Sequence, residues 1–398
     1  MPLMMRSRVS AVAAALALLS GGLATSPAAA GANQSSSQLD SSGAAGPALN
    51  VSVIQRGLDT PWEIAFIDAT RYLVTERTGR LSLGRLSGGP LTPVKADLTD
   101  LASGDSGLMG MVTDPAFATN RIFYTCQSHV APNDNRIIRW RLSATGTSAV
   151  RVGAPLLTGL PLGKFHTSCR LLFGPDGKIW ASTGDSYRGR AAQDKTNLGG
   201  KILRVNKNGS APSDNPWATA ANIRQRYVWN YGHRNPQGLA WRPGTKQMWN
   251  AEHGPDWDDE VNLVLKGRNY GWNPVKNATD PAYYQNVPMT DLVEFPDAVP
   301  AKWSSGVPTV APSGMTFLNG TSWGAYNGVA VLALLKDEGM LGLWLDKPGN
   351  VVKTAGIPEL NDTYGRLRTP RMGPDGALYV LTSNGTDDKI LRVAPSAS

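Results

Sequence analysis

The hydrophobic and polar positions of this chain follow a repeating pattern. One unit recurs roughly six times: an apolar strand, a turn of Asp, Gly or Asn, and a second strand rich in aromatic and β-branched residues. Clear copies are CRLLFGPDGKIWASTGD, GLAWRPGTKQMWNAEHG and PRMGPDGALYVLTSNG. Repeats of roughly 45 to 75 residues with several strand-length runs are typical of propeller blades. We therefore predict an all-β fold, a six-bladed β-propeller of four-stranded antiparallel blades, with function at its central channel.

The N-terminal segment does not follow the repeat. Residues 1–30 carry Arg6 and Arg8, then an apolar run, then the small residues Ala28–Ala30, which is typical of a secretory signal peptide. Residues 31–48 are small and polar, and we expect a disordered linker there. Residues 49–398 are then a single propeller domain. We expect Sec-type export to the cell envelope or the medium, without integral membrane association.

The net charge of +8 would by itself suggest a nucleic acid or an anionic surface as partner. However, Arg234, Arg366 and Arg368 fall at blade boundaries rather than in one surface run. Arg366 and Arg368 are two residues apart, which places them on one face of a strand, and Lys336 at the end of another strand can join them. Cations that converge on a channel favour a small polyanionic ligand, and we predict no nucleic-acid partner.

The two cysteines, Cys126 and Cys169, belong to neighbouring repeats. In an exported protein they favour a disulfide that joins the second and third blades. Two separate buried thiols are the alternative, because a disulfide requires Cα atoms within about 7 Å.

Two stretches carry candidate polar chemistry at blade entries. His166 stands just before an inner strand, where an imidazole suits proton abstraction near neutral pH, although a lone His is more often structural. Arg234 and Asn235 precede a proline. Such a pair can hold carboxylate or quinone oxygens, or it can simply cap a turn.

The segment EHGPDWDDE is acidic and rich in turn residues. Gly254 and Pro255 can expose backbone carbonyls. The carboxylates that follow are Asp256, Asp258, Asp259 and Glu260. Hard oxygen ligands of this kind suit Ca²⁺ better than Zn²⁺. The alternative is a solvated acidic loop.

Several segments, taken in order along the chain, resemble the soluble glucose/sorbosone dehydrogenase family and, within it, the bacterial aldose sugar dehydrogenases. They are FHTSCRLLFGPDGKIW, GHRNPQGLAW, EHGPDWDDEVN with NYGW, PTVAPSGMTF and GRLRTPRMGPDGALYVLT. The resemblance implies a propeller that binds pyrroloquinoline quinone (PQQ) with Ca²⁺ and oxidises the C1 hydroxyl of aldose sugars to lactones. It implies a separate electron acceptor, a quinone, dye or cytochrome, since the sequence has no C-x-x-C-H haem motif. A monomer and a homodimer both fit.

The resemblance also implies a role for individual residues. His166 takes the position of the general base, and Arg234 shares in catalysis by polarising the quinone carbonyl. The residues implied to contact the cofactor are Arg234, Asn235, Lys336, Arg366, Arg368 and Gln193. The backbone carbonyls implied to bind the Ca²⁺ of the cofactor are those of Gly254 and Pro255. A further Ca²⁺ site is implied at Glu260 and Tyr270.

Three positions depart from the family pattern. Asp105 stands where a Gln contacts the quinone, and a shorter, anionic side chain there would repel a carboxylate-rich cofactor unless it is protonated or paired. Cys169 replaces a Gly, and Phe165 precedes the base where the glucose-specific branch has Asp. Two alternatives therefore stay open: a non-catalytic propeller that binds carbohydrate or another partner, and a Ca²⁺-dependent lactone hydrolase.

Overall fold

Six β-sheets are arranged around one axis as the blades of a propeller, which confirms the predicted fold class. The computed structural model describes residues 46–102, 106–277 and 279–396, which belong to one compact unit. The predicted signal peptide, residues 31–45 of the predicted linker and Asp105 lie outside the described residues. Within those ranges, no helix is both long and apolar enough to cross a membrane.

The first three blades follow one another along the chain. Blade 1 contains β2 (Pro61–Phe66), β3 (Arg71–Glu76), β4 (Leu81–Arg85) and β5 (Thr92–Pro93). Blade 2 contains β6 (Leu108–Thr113), β7 (Ile122–His129), β8 (Asp134–Leu142) and β10 (Leu157–Pro161), with β9 (Ala149–Arg151) also paired to β8. Blade 3 contains β11 (Leu171–Phe173), β12 (Ile179–Thr183), β13 (Lys201–Val205) and β14 (Val228–Tyr231).

The remaining blades have the same antiparallel order. Blade 4 contains β15 (Pro236–Trp241), β16 (Met248–Glu252), β17 (Glu260–Leu263) and β18 (Trp303–Ser304). Blade 5 contains β19 (Pro312–Phe317), β20 (Ala330–Leu334), β21 (Met340–Leu345) and β22 (Val351–Gly356). Blade 6 contains β23 (Leu367–Met372), β24 (Leu378–Thr382), β25 (Asp388–Pro395) and β1 (Leu49–Leu58). Helical segments are α1 (Phe117–Asn120) and the 3₁₀ turns Arg224–Tyr227 and Thr321–Tyr326.

The ring is closed by the two ends of the described chain. Strand β1 pairs antiparallel with β25, with Val51 opposite Val393, so the N-terminal strand is the outer strand of the C-terminal blade. The first strand of every blade contacts the first strands of both neighbours. Strands β2, β6, β11, β15, β19 and β23 therefore surround the axis.

The Gly-Pro-Asp-Gly segments form the hairpin turns that the repeat predicts. Gly177, between β11 and β12, has φ +69°, and Gly376, between β23 and β24, has φ +75°. Both positions need the left-handed region that glycine enters without strain. In each turn the Asp side chain accepts a hydrogen bond from the backbone two residues on, as Asp176 does from the N–H of Lys178 (3.1 Å).

The predicted disulfide is confirmed. Cys126 on β7 and Cys169, two residues before β11, are bonded, with their Cα atoms 5.9 Å apart. The bond therefore joins blade 2 to blade 3. The alternative of two buried thiols is excluded.

A buried ion cluster links three blades across the axis. Glu63 on β2 lies 2.7 Å from Nη1 of Arg170 and 2.8 Å from Nη2 of Arg371 on β23. Glu63 and Arg170 are fully buried, and the Arg170 guanidinium lies 4.0 Å from the ring centroid of Trp62. Burial and the nearby Arg371 lower the pKa of Arg170 to about 10. The Glu63 carboxylate therefore balances the positive charges of two neighbouring arginines.

Replacement of Glu63 should strongly destabilise the fold. Glu63→Ala leaves Arg170 and Arg371 without their carboxylate, which typically costs about 3–5 kcal/mol. The midpoint of urea unfolding measures the loss. The control is Arg71→Ala, which removes a solvent-exposed pair with Asp68 (2.7 Å) and should cost at most about 1 kcal/mol. Equal losses in the two variants would contradict a special role for the axial cluster.

Candidate active site

A cavity of about 410 Å³ opens among the first strands of the blades. Its lining includes Trp62 on β2, Met109 on β6, Gln237 on β15 and Arg368 on β23. Residues of four innermost strands therefore meet at one site on the axis. This is the position at which the propeller pattern predicts function.

His166 lies in the wall of this cavity and is held by a buried carboxylate. Its Nδ1 lies 2.8 Å from Oδ1 of Asp185, whose side chain is fully buried. An ionised carboxylate only accepts hydrogen bonds, so Nδ1 carries the proton and donates it. The Nε2 atom then keeps its lone pair. This tautomer suits His166 to accept a proton from a molecule in the cavity.

The backbone places Asp185 behind His166 through a close approach. His166 has φ +53°, and its carbonyl oxygen accepts a hydrogen bond from the N–H of Ser186 (3.1 Å). A Cβ on Gly184 would lie 2.1 Å from that same oxygen. Glycine is therefore required at residue 184 for the turn after β12 to pack against His166.

The Asp185 carboxylate is fixed by further donors. Its Oδ2 accepts hydrogen bonds from Nε1 of Trp272 (2.8 Å) and from the hydroxyl of Tyr283 (2.6 Å). Its Oδ1 also accepts one from the N–H of Tyr187 (2.9 Å). With His166, four donors surround one carboxylate, which therefore has little freedom to rotate.

Arginines give the cavity its charge. Arg77, Arg366 and Arg368 all line it, and Arg368 is only 7% exposed. Burial and the charges of Arg77, Arg170 and Arg366 lower the pKa of Arg368 to about 9. No described residue forms an ion pair with Arg366 or Arg368. An anion in the cavity would relieve this repulsion.

Arg234 and Asn235 lie beside the cavity, as the sequence predicts. The guanidinium of Arg234 donates to the carbonyl of His253 and to Oε1 of Gln285, both at 3.0 Å. Its Nε is a buried donor without a partner among the described residues. Asn235 lines the cavity directly. The Arg234 guanidinium is thus held in place with one N–H unpaired, which suits it to bind an additional oxygen atom.

His253, which the sequence did not single out from the other histidines, also lines the cavity. Burial, with the nearby Arg234, His166 and Arg368, lowers its pKa to about 3. His253 is therefore neutral at physiological pH. The other two histidines pair with carboxylates elsewhere: His129 with Asp100 and His233 with Glu252.

The acidic run after β16 does not converge on one point. Asp259 accepts hydrogen bonds from the N–H groups of Gly254 (2.8 Å), Val310 and Ala311 (both 2.7 Å), while Asp258 accepts one from the hydroxyl of Ser304 (2.6 Å). No group of three or more His, Cys, Asp or Glu able to hold a metal occurs in the described ranges. The hydrogen bonds of Asp258 and Asp259 hold the loop in its conformation.

The Gly254-Pro255 pair follows His253 and lies in a tight loop. A Cβ on Gly254 would lie 2.1 Å from the carbonyl oxygen of Trp257, so this position excludes any larger residue. Neither the Gly254 nor the Pro255 carbonyl accepts a backbone hydrogen bond from a described residue. Two such carbonyls are suitable ligands for a hard cation.

Glu260 and Tyr270 lie farther out in blade 4. Glu260 on β17 faces Glu252 on β16 and is 4% exposed. Its oxygens accept from Nδ2 of Asn262 and from the hydroxyl of Thr290, both at 3.1 Å. The hydroxyl of Tyr270 donates to the Leu263 carbonyl and accepts from the N–H of Leu265, so this hydroxyl is committed to the backbone.

Besides Arg234, two candidate cofactor contacts are not among the residues that line the cavity, although Leu335, next to Lys336, is. Lys336 is exposed just after β20, and its Nζ donates to Oγ1 of Thr309 (3.0 Å). The amide of Gln193 bonds to the side chain of Asn269 in both directions and to the carbonyl of Trp272. Gln193 therefore braces the loop that carries Trp272. Asp105 lies outside the described residues.

Comparison with known proteins decides the family. The model of the family described as Glucose / Sorbosone dehydrogenase matches residues 58–392. The chain belongs to this family. The aldose sugar dehydrogenase YliI of Escherichia coli is 31% identical over 358 residues, which cover 88% of this chain and 94% of YliI.

Two other similar proteins are informative. Quinoprotein glucose dehydrogenase B of Acinetobacter calcoaceticus is 33% identical over 261 residues, 58% of this chain and 54% of its own. The solved structure of the PQQ-bound aldose sugar dehydrogenase of Streptomyces coelicolor has a TM-score of 0.71 and 28% identity, covering 88% of this chain and 99% of that one. Family and relatives together indicate a sugar dehydrogenase, an oxidoreductase.

The sequence predicted no role for the residues that hold His166 in place, although Trp272 belongs to the NYGW motif. Asp185 stands two residues after β12, in the same copy of the repeat as His166. A carboxylate just beyond the end of a strand in that copy is the signal that could have found it. Trp272, Tyr283 and Gln285 fall between β17 and β18, outside the repeat pattern. No period in the sequence predicts where those side chains lie.

The buried Glu260 makes stability depend on pH. Burial and the neighbouring Glu252 raise its pKa from 4.5 to about 8. The folded state therefore holds a proton that the unfolded state releases, and the stability due to Glu260 is lost as pH rises from about 4.5 through about 8. Glu260→Gln should flatten the fall in Tm between pH 6 and pH 9 in metal-free protein.

Calcium provides the second readout of the same variant. If Glu260 binds Ca²⁺, excess Ca²⁺ should raise the Tm of the natural protein at pH 8 more than that of Glu260→Gln. The control is the exposed Glu294→Gln. A pH slope and a calcium response shared by all three proteins would contradict this assignment of Glu260.

Proposed function

We propose that the protein is a PQQ- and Ca²⁺-dependent dehydrogenase that oxidises the C1 hydroxyl of aldose sugars to lactones. The observation that carries the proposal is the His166–Asp185 pair (2.8 Å) in the wall of a cavity lined by three arginines. A base oriented by a carboxylate supports proton abstraction. The arginines support a cofactor that bears several carboxylates.

The residues present fit such a cofactor. The pKa of Arg368 is lowered to about 9 partly by neighbouring arginines, so carboxylates would be stabilised beside it. Buried polar atoms near the axis are unpaired among the described residues, including Nε of Arg234, Oε1 of Gln237 and Nε2 of His253. Arg366 and Arg368 would hold carboxylates, and Arg234 and Asn235 would contact quinone oxygens.

The donor set also fits the Ca²⁺ of the cofactor. The carbonyls of Gly254 and Pro255 would hold the ion, next to His253 in the cavity wall. A site with two protein carbonyls leaves most of the coordination shell to the bound molecule. When bound, PQQ with Ca²⁺ would supply the two-electron acceptor for the hydride that leaves C1 of the sugar.

The remaining roles, proton transfer and charge stabilisation, fall to residues of the chain. His166 accepts the proton of the C1 hydroxyl at Nε2, and Asp185 stabilises the resulting imidazolium. The sugar loses one hydride and one proton, which together convert the hemiacetal to a lactone. Gln285 and the His253 carbonyl hold the Arg234 guanidinium still, so its charge is already oriented before the reaction.

We further propose export from the cytoplasm, on the strength of residues 1–30 and of the Cys126–Cys169 disulfide, which favours an oxidising compartment. Electrons would leave to a separate acceptor in that compartment.

Sugar-dependent reduction of a dye tests the activity. Protein loaded with PQQ and Ca²⁺ should reduce the dye when an aldose is added, and His166→Ala should lower turnover about 100-fold or more while it still binds PQQ. Thermal unfolding checks that the variant is folded. Unchanged turnover would remove His166 from the mechanism. No sugar-dependent reduction by the loaded natural protein would overturn the proposed function.

The affinity for PQQ should depend on Arg368. Arg368→Ala removes a charge-assisted contact with the cofactor and should weaken binding about 10- to 100-fold. Arg392→Ala is the matched control, because it removes the same charge from a solvent-exposed pair with Asp375 (2.8 Å). Isothermal titration measures both constants. Equal affinities in the two variants would place Arg368 outside the cofactor site.

A further inference from the structure

Tyr283 contacts both members of the His166–Asp185 pair. Its hydroxyl lies 2.6 Å from Oδ2 of Asp185 and 3.2 Å from Nδ1 of His166. Its ring is stacked on Tyr187, with 3.9 Å between centroids and 18° between planes. Burial and the charge of Asp185 raise the pKa of Tyr283 well above its usual value. The hydroxyl therefore remains a proton donor at any physiological pH.

The hydroxyl completes the set of donors around Asp185. Oδ2 faces Tyr283 and Trp272, while Oδ1 faces His166 and the N–H of Tyr187. The first two donors hold one end of the carboxylate, so the other end stays aligned with Nδ1 of His166. This alignment keeps the proton on Nδ1 and the lone pair on Nε2.

The side chains that donate to Oδ2 of Asp185 come from a different blade than His166. His166 and Asp185 belong to blade 3, whereas Trp272 and Tyr283 lie in the segment between β17 and β18 of blade 4. That segment is tied to blade 3 by backbone hydrogen bonds, including Tyr270 N–H to the Tyr231 carbonyl (2.9 Å) and Trp272 N–H to the Gly232 carbonyl (3.0 Å). Trp272 therefore has a defined position from which to hold Asp185.

We propose that Tyr283 is a positioning residue, which sets the tautomer and orientation of His166 by holding Asp185. Tyr283 is not among the residues that line the cavity, so it acts through Asp185 rather than on the substrate. The inference rests on the proposed function where turnover is measured. Its structural content, the state of His166, is independent of the cofactor.

The kinetic test compares two neighbouring tyrosines. Tyr283→Phe keeps the ring stacked on Tyr187 but removes the donor. Tyr284→Phe is the matched control, because the Tyr284 hydroxyl makes no hydrogen bond to the described residues and its ring lies beside Lys276 (4.6 Å). In the loaded enzyme, kcat of Tyr283→Phe should fall about tenfold or more with the sugar KM little changed. A kcat equal to that of Tyr284→Phe would overturn the proposal.

A spectroscopic test needs no cofactor. The chain has four histidines, so ¹⁵N-histidine labelling of cofactor-free protein, with His166→Gln for assignment, resolves the two nitrogens of His166. The natural protein and Tyr284→Phe should show a protonated Nδ1 and a bare Nε2. Tyr283→Phe should show a new population protonated at Nε2. An identical spectrum in all three would overturn the proposal.

The two tests separate the claims. If the natural protein shows no sugar-dependent dye reduction, the proposed function fails, and the nitrogen spectrum alone still decides the role of Tyr283. If the enzyme is active, both readouts must change in Tyr283→Phe and neither in Tyr284→Phe.

Discussion

Repulsion among arginines at the axis of the ring is the constraint on which the site depends. The first strands of the blades bring their side chains together at one place, and several of these side chains are cationic. Glu63 balances Arg170 and Arg371 within the fold. Arg368 lies beside this cluster without a carboxylate partner among the described residues, and its pKa is lowered to about 9 by burial and by its neighbours. Glu63 therefore balances the inner arginines, while the charge of Arg368 favours an anionic ligand in the cavity.

The positive charge of these arginines also affects the histidines beside the cavity. His253 is buried beside Arg234, and burial together with that charge lowers its pKa to about 3, so it adds no further positive charge to the cavity. His166 differs because its Nδ1 lies 2.8 Å from the Asp185 carboxylate, which accepts a hydrogen bond from it. Of the two histidines in the wall, only His166 is therefore placed to act as a base.

The sequence predicted the parts that repeat or that carry a short motif. The Gly-Pro-Asp-Gly segments predicted the hairpin turns, because the turn conformation depends on these four residues alone. The export context favoured the Cys126–Cys169 bond. The motif around His166 located the candidate base, and the motif around Arg234 located a fixed cation beside the cavity.

The sequence could not predict contacts that arise from the ring itself. Tyr283 meets His166 across 117 residues, and Gln193 meets Asn269 across 76 residues. The pairing of β1 with β25 likewise joins segments from opposite ends of the described chain. Each contact is set by how blades pack, so no spacing along the chain encodes it. The contact between Gln193 and the loop that carries Trp272 is of this kind.

The most direct test of the account is whether charge is what the cavity recognises. Isothermal titration in excess Ca²⁺ should compare PQQ with its trimethyl ester, which keeps the ring system and quinone but lacks the carboxylate charges. The account predicts stoichiometric binding of PQQ and at least about a 100-fold loss of affinity for the ester. Equal binding of the two compounds, or binding of neither, would contradict it.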